Sequence, residues 1–132
     1  MALTRLIDTS VISRLSAGAV RAVVEPSALA GQLGRAGVTD LEVGYCSRKA
    51  HGWDLSVLEL VETTADHVRR ARQVQRLLAA GSQRGRKIPD LLVAAAAEEL
   101  DLILLHYDGD FDLIASVTGQ RCEWVAPAGS ID

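Results

Sequence analysis

Short apolar runs alternate with longer stretches of helical periodicity along this sequence, and that alternation restricts the fold more than any other feature. Residues 3–7 read as a strand, and a helix begins at Thr9 or Ser10 with Val11, Ile12 and Leu15 on one face. Residues 19–24 and 27–33 read as helical, broken at Pro26, which removes a helix hydrogen bond. Residues 37–39 form a short strand candidate; Thr39 then starts a helix to about Arg48, followed by a loop at 50–54. A weak strand at 58–61 precedes a helix over 64–80, where Ala65, Val68, Ala71, Val74 and Leu78 recur at spacings of three and four. After a turn at 81–85, Pro89 suits the first position of a helix running to Leu100. A strand at 102–106, a helix at 111–117 and a short strand at 123–125 complete the pattern. Strands separated by helices form βαβ units, so the predicted fold is α/β, with a mainly parallel sheet covered on both faces.

The 132 residues suit one domain, 1–132, able to bury roughly 68% of its unfolded surface. Hydrophobic residues make up 48% and charged residues 23%, which excludes disorder as the main state. The longest apolar run, 91–97, is far short of the ~20 residues that span a bilayer. Asp8 interrupts the apolar start, so no signal peptide is expected. Cys46 and Cys122 then read as buried thiols rather than a disulfide framework. A soluble, cytoplasmic protein without membrane contact is expected.

Charge is segregated. The net charge is −3, yet Arg69, Arg70, Arg72, Arg76, Arg84, Arg86 and Lys87 follow one another with no acid between them. The remainder of the chain is correspondingly acidic, and the basic stripe can attract phosphates locally. A solvated helix face explains the same charges.

The acids fall at strand ends, where open parallel sheets bind their ligands. Asp8 directly follows the first strand; Glu42 lies in the first helical turn after the second. Asp108 stands two residues past the strand at 102–106, with Asp110 and Asp112 behind it. Asp90 opens the most apolar helix, where a carboxylate needs a partner. Each has a structural alternative. Asp8, Asp108 or Asp110 can cap a helix, Thr39-Asp40-Leu41-Glu42 fits a capping box, and the helix dipole favours Asp90. All four in one crevice would need cations: two unit charges 4 Å apart repel by about 4 kcal/mol at an effective dielectric near 20. Oxygen-only donors select Mg²⁺ or Mn²⁺. His51, His67, His106 and the cysteines lack a zinc spacing and read as structural or surface residues. No phosphate-binding glycine loop and no G-x-S-x-G elbow occurs.

Four stretches, in this order, resemble the PIN-domain ribonucleases and, within them, the VapC toxins of bacterial toxin–antitoxin pairs. They are Leu6-Ile7-Asp8-Thr9-Ser10-Val11, Thr39-Asp40-Leu41-Glu42-Val43-Gly44, Ile88-Pro89-Asp90-Leu91-Leu92-Val93-Ala94 and His106-Tyr107-Asp108-Gly109-Asp110-Phe111-Asp112. The resemblance covers nearly the whole chain. It implies a three-layer α/β/α sandwich in which Asp8, Glu42, Asp90 and Asp108 bind Mg²⁺ or Mn²⁺ and carry catalysis. Asp110 would be an auxiliary ligand or orienting group, and Thr9 or Ser10 a hydroxyl that holds the carboxylates. It further implies an endoribonuclease that hydrolyses RNA with metal-activated water, a homodimer, and a cognate VapB-type antitoxin. Gly109 departs from the basic residue frequent in similar proteins. The basic segment has no fixed family pattern; from their positions, Arg86 and Lys87 are expected beside the acids on the RNA backbone, with Arg69, Arg72 and Arg76 as an outlying ridge.

Other classes fit less of the sequence. A phosphatase of the haloacid dehalogenase type needs a second aspartate where this chain has Ser10. A non-catalytic metal- or RNA-binding module, or a housekeeping PIN nuclease without an antitoxin, uses the same residues with fewer demands.

Overall fold

In the first strand, β1 (Arg5–Ile7), Leu6 and Ile7 turn to opposite faces of a sheet and are both fully buried, as a central strand covered on both sides requires. The computed structural model describes residues 2–45, 54–84 and 86–131. The remaining strands are β2 (Leu33–Ala36), β3 (Glu59–Val61), β4 (Ile103–His106) and β5 (Cys122–Trp124). All pairings are parallel, in the order β3-β2-β1-β4-β5. Among the described residues six helices cover this sheet: α1 (Thr9–Ile12), α2 (Gly18–Leu29), α3 (Gly37–Gly44), α4 (Ala65–Ala80), α5 (Ile88–Glu99) and α6 (Asp110–Thr118).

Two cores result. Leu6 and Leu104 pack on one face with Val74 and Leu78 of α4, Leu91 and Val93 of α5, and Phe111 and Ile114 of α6. Ile7 and Leu105 pack on the other with Val11 and Ile12 of α1, Val20 and Val24 of α2, and Tyr107. Each such side chain contributes about 1.5–3 kcal/mol by leaving water. The fold is the expected three-layer α/β/α arrangement, and the sheet is parallel throughout. Among the described residues no helix is long and apolar enough to cross a membrane.

Three local expectations are corrected. The second strand lies at Leu33–Ala36, and 37–39 instead opens α3. Gly34 and Arg35 disguise that strand, yet both are used. A Cβ at Gly34 would come within 2.9 Å of Leu3 and 3.1 Å of the Glu59 carbonyl. Arg35 donates to Asp40 at 2.7 Å, to the Leu55 carbonyl at 3.1 Å and to the Leu58 carbonyl. Helix α2 continues through Pro26. Pro26 and Ala22 are both exposed, so the carbonyl that loses its partner lies on the solvent side, while buried Val20, Val24 and Ser27 hold the helix in place. Finally, Thr39 and Glu42 form no capping box, because α3 starts two residues before Thr39; the box is instead made by Thr64 and His67 at the start of α4.

His67 is buried, accepts from the Thr64 backbone N–H and pairs with Glu99 at 2.9 Å, a structural role. Cys122 is a free thiol that burial pushes up to about 11. The expected helix end at Arg48, the loop at 50–53, Cys46, His51 and the end of the turn at Gly85 lie outside the described residues.

Candidate active site

Strand order puts a crevice between the carboxyl ends of β1 and β4, where successive connections leave in opposite directions. The cleft there, about 530 Å³, is lined by Asp8, Glu42, Asp90 and Asp108 together with Thr9, Ser10, Arg14, Lys87, Tyr107 and Trp124. The acids from four elements thus reach one cavity.

Asp8 is held by the start of α1. Its Oδ2 accepts the Ser10 N–H at 2.9 Å, so it is a helix cap and a cleft acid at once. It is 3% exposed, and its Oδ1 has no hydrogen-bond partner among the described residues. Burial, reinforced by the Glu42 charge, pushes the Asp8 carboxyl above its ordinary range against the pull of the Ser10 bonds. The Ser10 hydroxyl accepts the Tyr107 N–H at 2.9 Å and ties α1 to the end of β4. Thr9 donates to Glu42 Oε1 at 2.8 Å, which fixes the α3 carboxylate beside Asp8.

Asp90 enters from the first turn of α5, 3% exposed, with Oδ2 accepting no hydrogen bond among the described residues and the Lys87 ammonium 3.8 Å away. Burial and then the Asp8 charge push its carboxyl up to about 7, opposed by Lys87. Asp108 behaves oppositely. Burial would raise it, but the Asp110 N–H at 3.0 Å and the Lys87 ammonium at 3.1 Å hold it below the ordinary range. Lys87, although partly desolvated, is held protonated by Asp108 and Asp90. Arg86 donates to Asp110 at 2.7 Å.

Carboxylate oxygens of Asp90, Asp108 and Asp110 lie within 4.8 Å of one another, and these three could together hold a metal ion. Asp8 and Glu42 line the same cleft outside that closest trio. Asp112 turns away to accept the Trp124 indole N–H. His106 is buried against Phe111 and Trp124, and its Nδ1 accepts the Asp108 N–H at 3.2 Å, so it positions the loop that carries Asp108. Of the basic residues, Arg86 and Lys87 reach the acids. Arg69 pairs with Asp66 instead, and Arg72 and Arg76 line a separate groove.

Several cleft residues are missed by sequence reasoning. The Arg14 guanidinium lies 4.7 Å from the Tyr107 ring centre and donates to the Ser10 carbonyl at 2.8 Å. Its spacing of four from Ser10, one helical turn on, was a usable signal. Tyr107 donates to the Ile131 carbonyl and accepts the Ile131 N–H, which closes the cleft with the C-terminal segment; nothing local announces that contact.

The profile of the PIN domain family matches residues 5–117. Ribonuclease VapC51 of Mycobacterium tuberculosis (strain ATCC 25618 / H37Rv) is 62% identical over 137 aligned positions, covering 100% of both chains. Ribonuclease VapC21 of Mycobacterium tuberculosis (strain CDC 1551 / Oshkosh) is 39% identical, over 95% of this chain and 96% of its own. Among solved structures, DNA-bound VapBC from Salmonella typhimurium is similar with a TM-score of 0.73 at 16% identity, over 94% of this chain and 99% of that one. A match that runs from β1 into α6, with relatives alike from end to end, makes this chain a member of the PIN domain family.

Proposed function

We propose that this protein is the toxin of a type II toxin–antitoxin pair, an endoribonuclease that hydrolyses RNA phosphodiester bonds with a divalent metal ion, and that residues 1–132 form its one domain. The observation that carries this reading is the pair of buried carboxylates, Asp8 and Asp90, each with an oxygen that no described group satisfies, facing one acidic cleft. Buried charges of one sign need a counter-ion. The names of the relatives, ribonucleases of the VapC series, support the chemistry.

In this reading Asp8, Glu42, Asp90 and Asp108 would hold the ion, with Asp110 as an auxiliary donor. The donor set is all oxygen, which suits Mg²⁺, with Mn²⁺ as a substitute. When bound, the ion supplies a Lewis acid for water and for the phosphoryl oxygens. The chain's own part is positioning. Thr9 orients Glu42, Ser10 holds Asp8 and the end of β4 together, and the Asp110 N–H orients Asp108. Lys87 and Arg86 set positive charge against the acids and stand ready for a phosphate at the cleft.

The VapBC neighbours include a member of a toxin–antitoxin family from Mycobacterium tuberculosis. We assign this chain a VapB-type antitoxin and a homodimeric state; exposed Leu41 on α3, Tyr45 just past its end and Ile88 on α5 offer apolar surface for such contacts. A nuclease acting on cellular RNA would work in the cytoplasm. Incubation of the purified protein with total RNA tests the activity. Cleavage with Mg²⁺ that is lost in chelator and in Asp8→Asn supports it, and undiminished cutting in chelator overturns it. Growth arrest on expression, relieved by the antitoxin, separates a toxin from a housekeeping nuclease.

A further inference from the structure

We propose that a groove between α4 and the segment leading into α5 binds the phosphate backbone of single-stranded RNA flanking the cut. The proposal rests on the reading of the acidic cleft as the place of cutting. The groove, about 350 Å³, is lined by Arg72, Gln75, Arg76, Gln83, Arg84 and Arg86, and no acid among the described residues lines it. Arg69 and Arg70 on the same helix are neutralised by Asp66 and Glu98. Among the described residues no carboxylate pairs with Arg72, Arg76 or Arg84.

That distribution points to a ligand. Arg72 and Arg76 are four residues apart on one helix, so their like charges face each other and repel. An anion running along the groove turns the repulsion into attraction. Guanidinium forks meet phosphate oxygens bidentately, and the glutamine amides add neutral donors without reading sequence. Arg86 joins the two places: it lines the groove and also donates to Asp110 of the acidic cluster at 2.7 Å. A strand leaving the cleft past Asp110 therefore meets the groove next. This is why RNA is favoured over an acidic peptide, which would have no reason to continue into a cleft of carboxylates.

The test measures fluorescence anisotropy of a labelled 20-nucleotide oligouridylate with the full chain, in chelator, across a range of salt. Replacing Arg72, Arg76 and Arg84 together by glutamine should weaken binding about tenfold or more and lower the log–log salt slope by about 2, at roughly 0.7 per phosphate contact. Replacing the same three by lysine should restore most of the slope. All three side chains are exposed, and circular dichroism checks that the variants fold. An unchanged slope in the glutamine variant overturns the proposal, as does a parent protein that ignores the oligouridylate or prefers polyglutamate. Cleavage of total RNA by the parent with Mg²⁺ is scored separately. Cleavage with an unchanged slope would reject the groove and leave the nuclease standing, whereas absent cleavage with a lowered slope would reject the nuclease.

Discussion

Replacing Asp90 by asparagine should stabilise the protein when no metal is present. Asp90 is buried, its Oδ2 accepts no hydrogen bond among the described residues, and burial together with the Asp8 charge moves its carboxyl from 3.8 to about 7. Between those two values the group is protonated in the folded chain and ionised in the unfolded one. The unfolded state then binds fewer protons, so stability falls as pH rises from about 4 to about 7 and is level above that. At 1.36 kcal/mol for each tenfold change in proton affinity, the full loss is about 4 kcal/mol. Asparagine keeps the shape and removes the charge, but its amide lacks partners, which takes back roughly 1–3 kcal/mol. The expected net gain at pH 8 is about 2 kcal/mol, on the order of 5–10 °C in Tm. Urea denaturation of the parent and Asp90→Asn in excess chelator, at pH 4.5, 6 and 8, reads it directly. The gap should open with rising pH, and Mg²⁺ should then stabilise the parent more than the variant. A variant no more stable than its parent at pH 8, or a gap that narrows as pH rises, would mean that the Asp90 charge is not destabilising in the metal-free fold.

Thr9→Val removes the hydroxyl that fixes Glu42, and calorimetric titration should show Mg²⁺ binding weakened about 10-fold or more; unchanged affinity would mean that Glu42 holds its place without it. Cleavage products should carry 5′-phosphate and 3′-hydroxyl ends, tested by end-specific ligation; cyclic phosphates would point to the RNA's own hydroxyl as nucleophile. Gly34→Ala should destabilise the fold by about 1–3 kcal/mol in urea, because the new Cβ meets Leu3 and the Glu59 backbone; a neutral result would show that the sheet edge yields freely.

Much of the architecture was readable along the chain because strand and helix periods are local properties. The runs around Leu6, Leu104 and Phe111, and the spacing along α4, carry their own pattern, so β1, β4, α4 and α6 were found to within a few residues. Asp8 and Asp108 were equally readable, since a residue just past a strand lies at that strand's carboxyl end wherever the strand sits. Pro26 and the Leu33–Ala36 strand were misread because packing overrode propensity there.

Local periodicity along the chain dictates the alternation of strands and helices, the parallel sheet that follows from it, and the presence of acids at the strand ends. Which ends meet depends on packing across the whole sheet. Placing β4 beside β1 brings Tyr107 onto Ser10 across 97 positions of chain, and Asp90 within reach of the Asp8 charge. The same packing pairs Thr9 with Glu42, leaves one oxygen each of Asp8 and Asp90 without a partner among the described residues, and neutralises Arg69 while leaving Arg72, Arg76 and Arg84 to a groove. Periodicity reports which side of an element is buried, whereas the partner across the core is selected by the burial of the whole sheet, a long-range choice that no window of the sequence contains.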